Sequence, residues 1–328
     1  DLGADVIRVQ NEEHSTLVNR PDYPYYFVWG RGKRSATLDM KHPEALKTIR
    51  RLIENCDVLI ENYSSGVLDG WGLDWETVKA WNPRLVYVSM SGCGHDGPWS
   101  HVISYAPTVH AICGITHLTN FADRGDVGPG FSLNDHLAGF AAATSTMAAL
   151  LERDTSGLGQ HIDMAQLEVG TYSIGPAALN YLSNDVAAQP NGNRDGLHDH
   201  VPNEVYQSLD GYVAITASND DQWERLCLLL ESDLLEPLLS ETERQHHREE
   251  IDQVISDWVS ARESVAVVEL LQSIRVPAGM VQNAGHLVQE DPQLSAREFW
   301  RHVEHPIFGK RMVDTFPSLI DGVRPPTN

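Results

Sequence analysis

The N-terminal part of the chain repeats one rhythm, and that rhythm restricts the fold more than any other feature. ADVIRVQ is a short apolar run; HPEALKTIRRLIENC carries Ala45, Leu46, Ile49, Leu52 and Ile53 at helical spacing; DVLIEN is again an apolar run; WETVKAWNP reads as a helix stopped by Pro83; RLVYVSMSG is apolar once more. Strand, helix, strand, helix, strand predicts a parallel sheet, because only a crossover returns the chain to run in the same direction. Ligands of such sheets bind beyond the carboxyl ends of the strands. The sequence places ENYSSG (61–66) and SGCGHDGPW (91–99) there, small-residue loops that a ligand can approach closely.

A long, almost uncharged helix is expected from about His136 to Arg153, followed by HIDMAQLEVGTYSIGPAALNYLS, part strand and part helix. From Asn184 to Val201 the chain turns polar, which sets the domain boundary. Beyond it, DGYVAITAS predicts a strand, NDDQWERLCLLLES a capped helix, and ETERQHHREEIDQVISDWVSARESVAVVELLQSI two helices split near Glu263. VPAGMVQ follows as a short strand, and Glu290–Asn328 as an irregular tail. The expected fold is therefore α/β: a large doubly wound, Rossmann-like parallel-sheet domain over residues 1–190 and a smaller α+β domain over 203–290. The tail, 291–328, returns to the large domain.

Composition excludes some functions. The 328 residues carry a formal charge of −22, which argues against nucleic acid as the main partner, since phosphate contacts need surplus Lys and Arg. A local cluster such as WGRGKRS (Arg31, Lys33, Arg34) still suits a small anion, because charge acts over roughly 8 Å at physiological salt. Cys56, Cys93, Cys113 and Cys227 are far apart with no metal-type spacing, which fits a reducing cytoplasm. No run approaches a membrane span and no signal peptide is visible. The first residue is Asp and the chain opens directly into a strand, so a missing natural start is expected. His198 and His200 in a loop, and His246 and His247 in a charged helix, read as solvated rather than metal-binding.

Asp135 stands at the mouth of the long helix, in NDHLAG. With Asn134 before an apolar run it reads as an N-cap, worth about 1 kcal/mol. The same physics also suits a nucleophile: a helix N-terminus favours the ionised carboxylate, and the alanines at 138, 141, 142 and 143 allow close packing around it. Spacing alone leaves both readings open.

DLGADVIRVQ, RGKRSATLDMKHPEALKTIRRLIENCDVLIENYSSGVLDGWGLDWETVKAWNPRLVYVSMSGCGHDGP, NDHLAGFAAATSTMAALLERDTSGLGQHIDMAQLE and VPAGMVQNAGHLVQEDPQL together resemble the class III coenzyme A transferases, the CaiB/BaiF family, over nearly the whole chain and in the family's order. The resemblance puts the catalytic aspartate at Asp135 and implies aspartyl anhydride and aspartyl–CoA thioester intermediates. It places CoA contacts at Leu38, Lys41, Asn62 and Tyr63; Arg34 is a further candidate for the CoA phosphates. It also implies an N-terminal truncation, an interlocked homodimer, coenzyme A or acyl-CoA as substrate with a small carboxylic acid, no permanently bound cofactor and no metal.

Some positions depart from the family. Where certain members carry an Arg that holds CoA, this chain has Gly70, followed by Trp71, so an ion pair gives way to a stacking surface. Gly30 replaces a common Asn and Gln10 an acidic residue. The α-methylacyl-CoA racemases share the fold but need a second base, and their His and Glu fall here on Tyr105 and Asn219, with His110 five residues further on. The racemase reading thus ranks below the transferase, as does a non-catalytic acyl-CoA-binding protein, given the intact NDHLAG block. Gly139, one turn into the helix, is expected either to admit substrate or backbone, or to seat a helix contact.

Overall fold

The computed structural model describes residues 2–11, 28–194, 199–232, 235, 239–305 and 308–326. Its strands, numbered along the chain, are β1 (Val6–Gln10), β2 (Lys33–Thr37), β3 (Val58–Glu61), β4 (Val86–Ser91), β5 (His161–Ala165), β6 (Asn203–Gln207), β7 (Tyr212–Thr216), β8 (Ala278–Met280), β9 (Trp300–His305) and β10 (Gly309–Asp314). By its contacts the chain divides into two compact units, Asp1–Ile49 with Gln282–Asn328, and Arg50–Val281. This division and the expected boundary near residue 190 fall at different places.

In the first unit β1 and β2 pair in parallel, Val6 opposite Lys33 through Gln10 opposite Thr37, and the Leu38 N–H extends the ladder to the Gln10 carbonyl at 2.9 Å. The tail is not irregular as expected. It holds a short helix, Pro292–Ala296, capped by the Asp291 side chain, and an antiparallel hairpin of β9 and β10. β10 is largely exposed and β9 only partly buried, so their sequence shows little of the apolar alternation by which strands are recognised.

The second unit contains a parallel sheet in the order β3-β4-β5, in which DVLIEN and RLVYVSMSG of the expected rhythm are joined by His161–Ala165, whereas ADVIRVQ is β1 and pairs with β2 in a sheet of two strands. Helix Trp75–Trp81, capped by Asp74 accepting the Thr77 N–H, lies between β3 and β4; helices Ala106–Ile112, Ile115–Leu118 and Leu133–Ser156 lie between β4 and β5. One face is apolar: Val86 and Val88 are fully buried and pack with Ala142 and Ala149 of the long helix, joined by Val58, Met90, Ile162 and Met164. Small residues on the helix let it lie close to the β-branched surface. The long helix begins three residues earlier than expected and ends three later. Ser132 occupies the N-cap position without a side-chain cap bond, so Asp135 is not the cap but a first-turn residue.

Residues 201–281 of the same unit hold a core of their own. Antiparallel β6-β7-β8 carries Tyr206, Val213 and Ile215 against Trp223 and Leu226 of helix Asp220–Leu230, Ile251 and Ile255 of helix Arg248–Ser260, and Val267 and Leu271 of helix Ser264–Ser273. The stretch expected as two helices is three, because the chain breaks again at His247 after a short helix Glu241–His246 whose Ser240 and Glu243 form a capping box.

Candidate active site

A cavity of about 350 Å³ opens in the second unit where the carboxyl ends of all three parallel strands meet helix N-termini. Asn62 to Ser65 follow β3, Ser91 to Cys93 close β4, and Gln166 follows β5; Ser104 to Pro107 begin one helix, and Ser132 with Asp135 begin the long one. The location is the one the strand–helix rhythm predicts. Serine hydroxyls dominate the lining, and among the described lining residues Asp135 is the single carboxylate.

The chain seats Asp135 through its neighbour. Asn134 is fully buried; its N–H donates to His110 Nε2 at 3.1 Å and its Nδ2 donates to the Gln166 carbonyl at 2.8 Å. His110 is thereby fixed with Nε2 as acceptor, its proton on Nδ1. Gly170 makes the crossing possible: a Cβ there would lie 2.5 Å from Cys113 Sγ and 2.8 Å from Asn134 Oδ1. Gly139, expected either to admit substrate or backbone or to seat a helix contact, has nothing of the described chain within 4 Å of its Cβ position. Gly170 was missed because its partners are distant in sequence. Gly92 is another such position, with Ser104 Oγ 1.9 Å from where its Cβ would stand.

The structure brings Asp135, Asn62 and Tyr63 into one cavity. Trp71, on the turn after helix Val67–Gly70, meets the Tyr63 ring edge-on, centroids 5.4 Å apart. Leu38, Lys41 and Arg34 belong to the other unit. There Lys41 is exposed, with its N–H held by Asp39 Oδ1, and Leu38 is half-buried on the β1 ladder. Arg34 donates from Nε to Asp5 Oδ1 at 2.9 Å and forms a salt bridge with that carboxylate. In the same cluster Arg31 pairs with Asp314 at 3.1 Å, and burial and the neighbouring Arg8 charge hold the Lys33 ammonium below its ordinary pKa. The basic cluster is thus partly committed to carboxylates of its own unit.

The racemase positions are accounted for otherwise. Tyr105 lines the cavity with a phenol rather than an imidazole, His110 is used by Asn134, and Asn219 caps helix Asp220–Leu230 by accepting the Gln222 N–H. His200 is not simply solvated: its Nδ1 bonds Glu241. His198 lies outside the described residues. His246 and His247 are exposed, as expected. Among the described residues no group of three or more His, Cys, Asp or Glu is arranged to hold a metal, and no helix is long and apolar enough to cross a membrane.

An α/β architecture with a lone carboxylate at a helix N-terminus, set in a hydroxyl-lined cavity, is a frame for group transfer. The sequence profile of CoA-transferase family III matches residues 1–325, and the chain belongs to that family. It is similar to succinate–glutarate CoA-transferase of Agrobacterium fabrum, 32% identical over 314 residues that span 90% of this chain and 78% of the relative. The human succinyl-CoA:glutarate CoA-transferase is 29% identical over 320 residues, 94% of this chain and 72% of the relative. A crystal structure of a CaiB/BaiF family protein from Brucella suis superposes with a TM-score of 0.82 at 28% identity, covering 97% of this chain and 89% of that one. The protein is an enzyme of the class III CoA-transferases, acting on CoA thioesters and carboxylic acids.

Proposed function

We propose that Asp135 is the nucleophile of a CoA transfer that passes through anhydride and thioester intermediates. The observation that carries this reading is its position as the single carboxylate of the described cavity lining, in the first turn of a 24-residue helix. Asp135 attacks the thioester carbonyl, forming an acyl–aspartyl anhydride and releasing CoA thiolate. The thiolate attacks the aspartyl carbonyl, giving aspartyl–CoA and freeing the donor acid. The acceptor carboxylate then attacks aspartyl–CoA, forming a second anhydride and releasing the thiolate again, which attacks the acceptor's acyl carbonyl and regenerates Asp135. Each tetrahedral step develops an oxyanion, for which the serine hydroxyls and the N–H groups at the helix starts are the available donors.

In the same reading CoA is held by Asn62 and Tyr63 at the cavity, with Trp71 adding an aromatic surface, and by Leu38, Lys41 and Arg34. Lys41 suits a phosphate as an exposed point charge; Arg34 would have to exchange Asp5 for it. Residues 1–190 and the tail form the CoA-binding part and 203–290 the smaller one, a division supported by the separate core of residues 201–281. A second copy of the chain covers the exposed apolar stripe Phe140, Met147 and Leu151, consistent with a homodimer. Four free cysteines suit a reducing, cytoplasmic setting. Relatives named for succinyl-CoA and glutarate make these the first donor and acceptor to try.

The test is intact-protein mass spectrometry after incubation with acyl-CoAs and hydroxylamine. A hydroxamate on Asp135, absent from Asp135→Ala, is the expected result. No adduct with any donor, together with exchange of the α-proton in deuterated water, would overturn it in favour of proton transfer.

A further inference from the structure

The β3-β4-β5 register sets Glu61 opposite Ser89 and Ser89 opposite Asp163, so three polar side chains stand abreast on the sheet face away from the long helix. Parallel strands buried on both faces are ordinarily apolar on both. This row is not. His95, in the loop after β4, reaches across it: the His95 N–H donates to Asp163 Oδ2 at 3.1 Å, its Nδ1 lies 3.0 Å from Asp163 Oδ1, and its Nε2 lies 3.8 Å from Glu61 Oε1. Glu61 is 8% exposed, and among the described residues its buried Oε1 has no hydrogen-bond partner. A buried carboxylate left half-satisfied is costly and needs an account.

The account lies in what else the cluster holds. Glu61 Oε2 accepts the Tyr63 N–H at 2.9 Å, and the His95 carbonyl accepts the Ser65 hydroxyl at 3.4 Å. Tyr63 and Ser65 line the cavity, as do Ser91, Gly92 and Cys93 just before His95. None of Glu61, His95 or Asp163 is itself among the lining residues. The three therefore tie together, from below, the two strand-end loops that form one wall of the site.

We infer that Glu61, His95 and Asp163 are positioning residues, a clasp that fixes loops 62–65 and 91–95 and thereby the wall that receives acyl-CoA. The ligand in this statement rests on the proposed function; the clasp itself rests on the geometry. The loosest link of the clasp is the approach of His95 Nε2 to Glu61 Oε1, at 3.8 Å longer than a hydrogen bond. The other titratable groups on this face are Tyr87 of β4 and His161 of β5, whose ring lies 6.4 Å from that of His95. Asp69 of helix Val67–Gly70 acts on both, and Asp74 on Tyr87. Burial raises the Glu61 pKa, and burial lowers that of His161.

Steady-state kinetics of succinyl-CoA-dependent transfer across pH, for wild type, Glu61→Gln and His95→Gln, give one readout. Both variants are expected to raise KM for the acyl-CoA about tenfold, the equivalent of one net hydrogen bond, with little change in kcat and a flattened pH profile. Backbone-amide NMR of the wild-type protein gives another: the Tyr63 and Ser65 amides are expected to shift along the same curve as the Glu61 carboxyl carbon. Unchanged KM and pH profile in both variants overturns the inference. So do Tyr63 and Ser65 amides indifferent to Glu61, and this arm holds even where wild type transfers no CoA, a result that would sink the functional reading alone.

Discussion

At the scale of single residues the site is held by contacts that no local pattern announces. Gly170→Ala would drive a methyl to within 2.5 Å of Cys113 Sγ and 2.8 Å of Asn134 Oδ1. Overpacking of this kind costs about 1 to 3 kcal/mol, and here part of it falls on the residue beside Asp135. Urea unfolding should show the loss, and Cys113→Ala in the same chain should recover part of it; an unaltered midpoint would mean that the crossing is loose. Glu61 gives a second expectation, with a definite sign. Burial raises its folded-state pKa, opposed by the Tyr63 N–H, Ser89 and His95. Its contribution to stability is therefore fully present below the unfolded value of roughly 4.3 and is lost as pH rises through the higher folded value. Relative to wild type, Glu61→Gln should gain stability as pH climbs from acid to neutral. A stability gap that stays constant with pH would refute this. Asp135, Asn62 and Tyr63, each marked in the sequence by a motif, line one cavity; the packing of Asn134, His110 and Gly170 was not legible, because it is made by partners far along the chain.

At the scale of elements, the strands and helices of the parallel sheet follow from periodicity, since each has an apolar face that must be buried. Boundaries moved where a tertiary contact replaced a local one. Asn134 and Asp135 resemble a cap, yet the buried bond from Asn134 to the Gln166 carbonyl draws both into the first turn. At the other end, Arg153 marks in the sequence only the expected end of the helix. It is 9% exposed and anchors the helix, donating to the Asp57 and Arg84 carbonyls and to Asp57 Oδ1. Removing it leaves those carbonyls without their charged donor, so Arg153→Ala should cost about 2 to 3 kcal/mol. The cavity lies at the opposite end of the helix, so turnover well below the melting temperature should be retained. Calorimetry paired with activity separates the two; equal losses of stability and kcat would show that the helix end is coupled to the site. The elements that sequence missed, β2 and the β9-β10 hairpin, are exposed or at most partly buried over nearly all their length and carry little hydrophobic signal.

At the scale of the whole molecule the open question is what covers the long helix. Phe140, Met147 and Leu151 recur at i, i+7 and i+11, one stripe, and are 66%, 54% and 71% exposed. Leu179 and Leu182 on helix Gly175–Asn184 are exposed at 63% and 81%. Monomers rarely leave extended apolar patches to water. If a second copy covers this face, sedimentation equilibrium should give twice the chain mass of 36.5 kDa, and Met147→Glu with Leu151→Glu should return the single mass without unfolding, because these side chains lack burial to lose. Charge adds a further handle. Each copy carries a formal −22, so association works against mutual repulsion that salt screens. The dimer should therefore tighten as ionic strength rises from low to physiological values, the reverse of what an interface held by opposite charges would show. A single-chain mass at every salt concentration, unaffected by either substitution, would mean that no second copy occupies the stripe. A dimer that weakens with salt would place the contact on paired charges elsewhere on the surface.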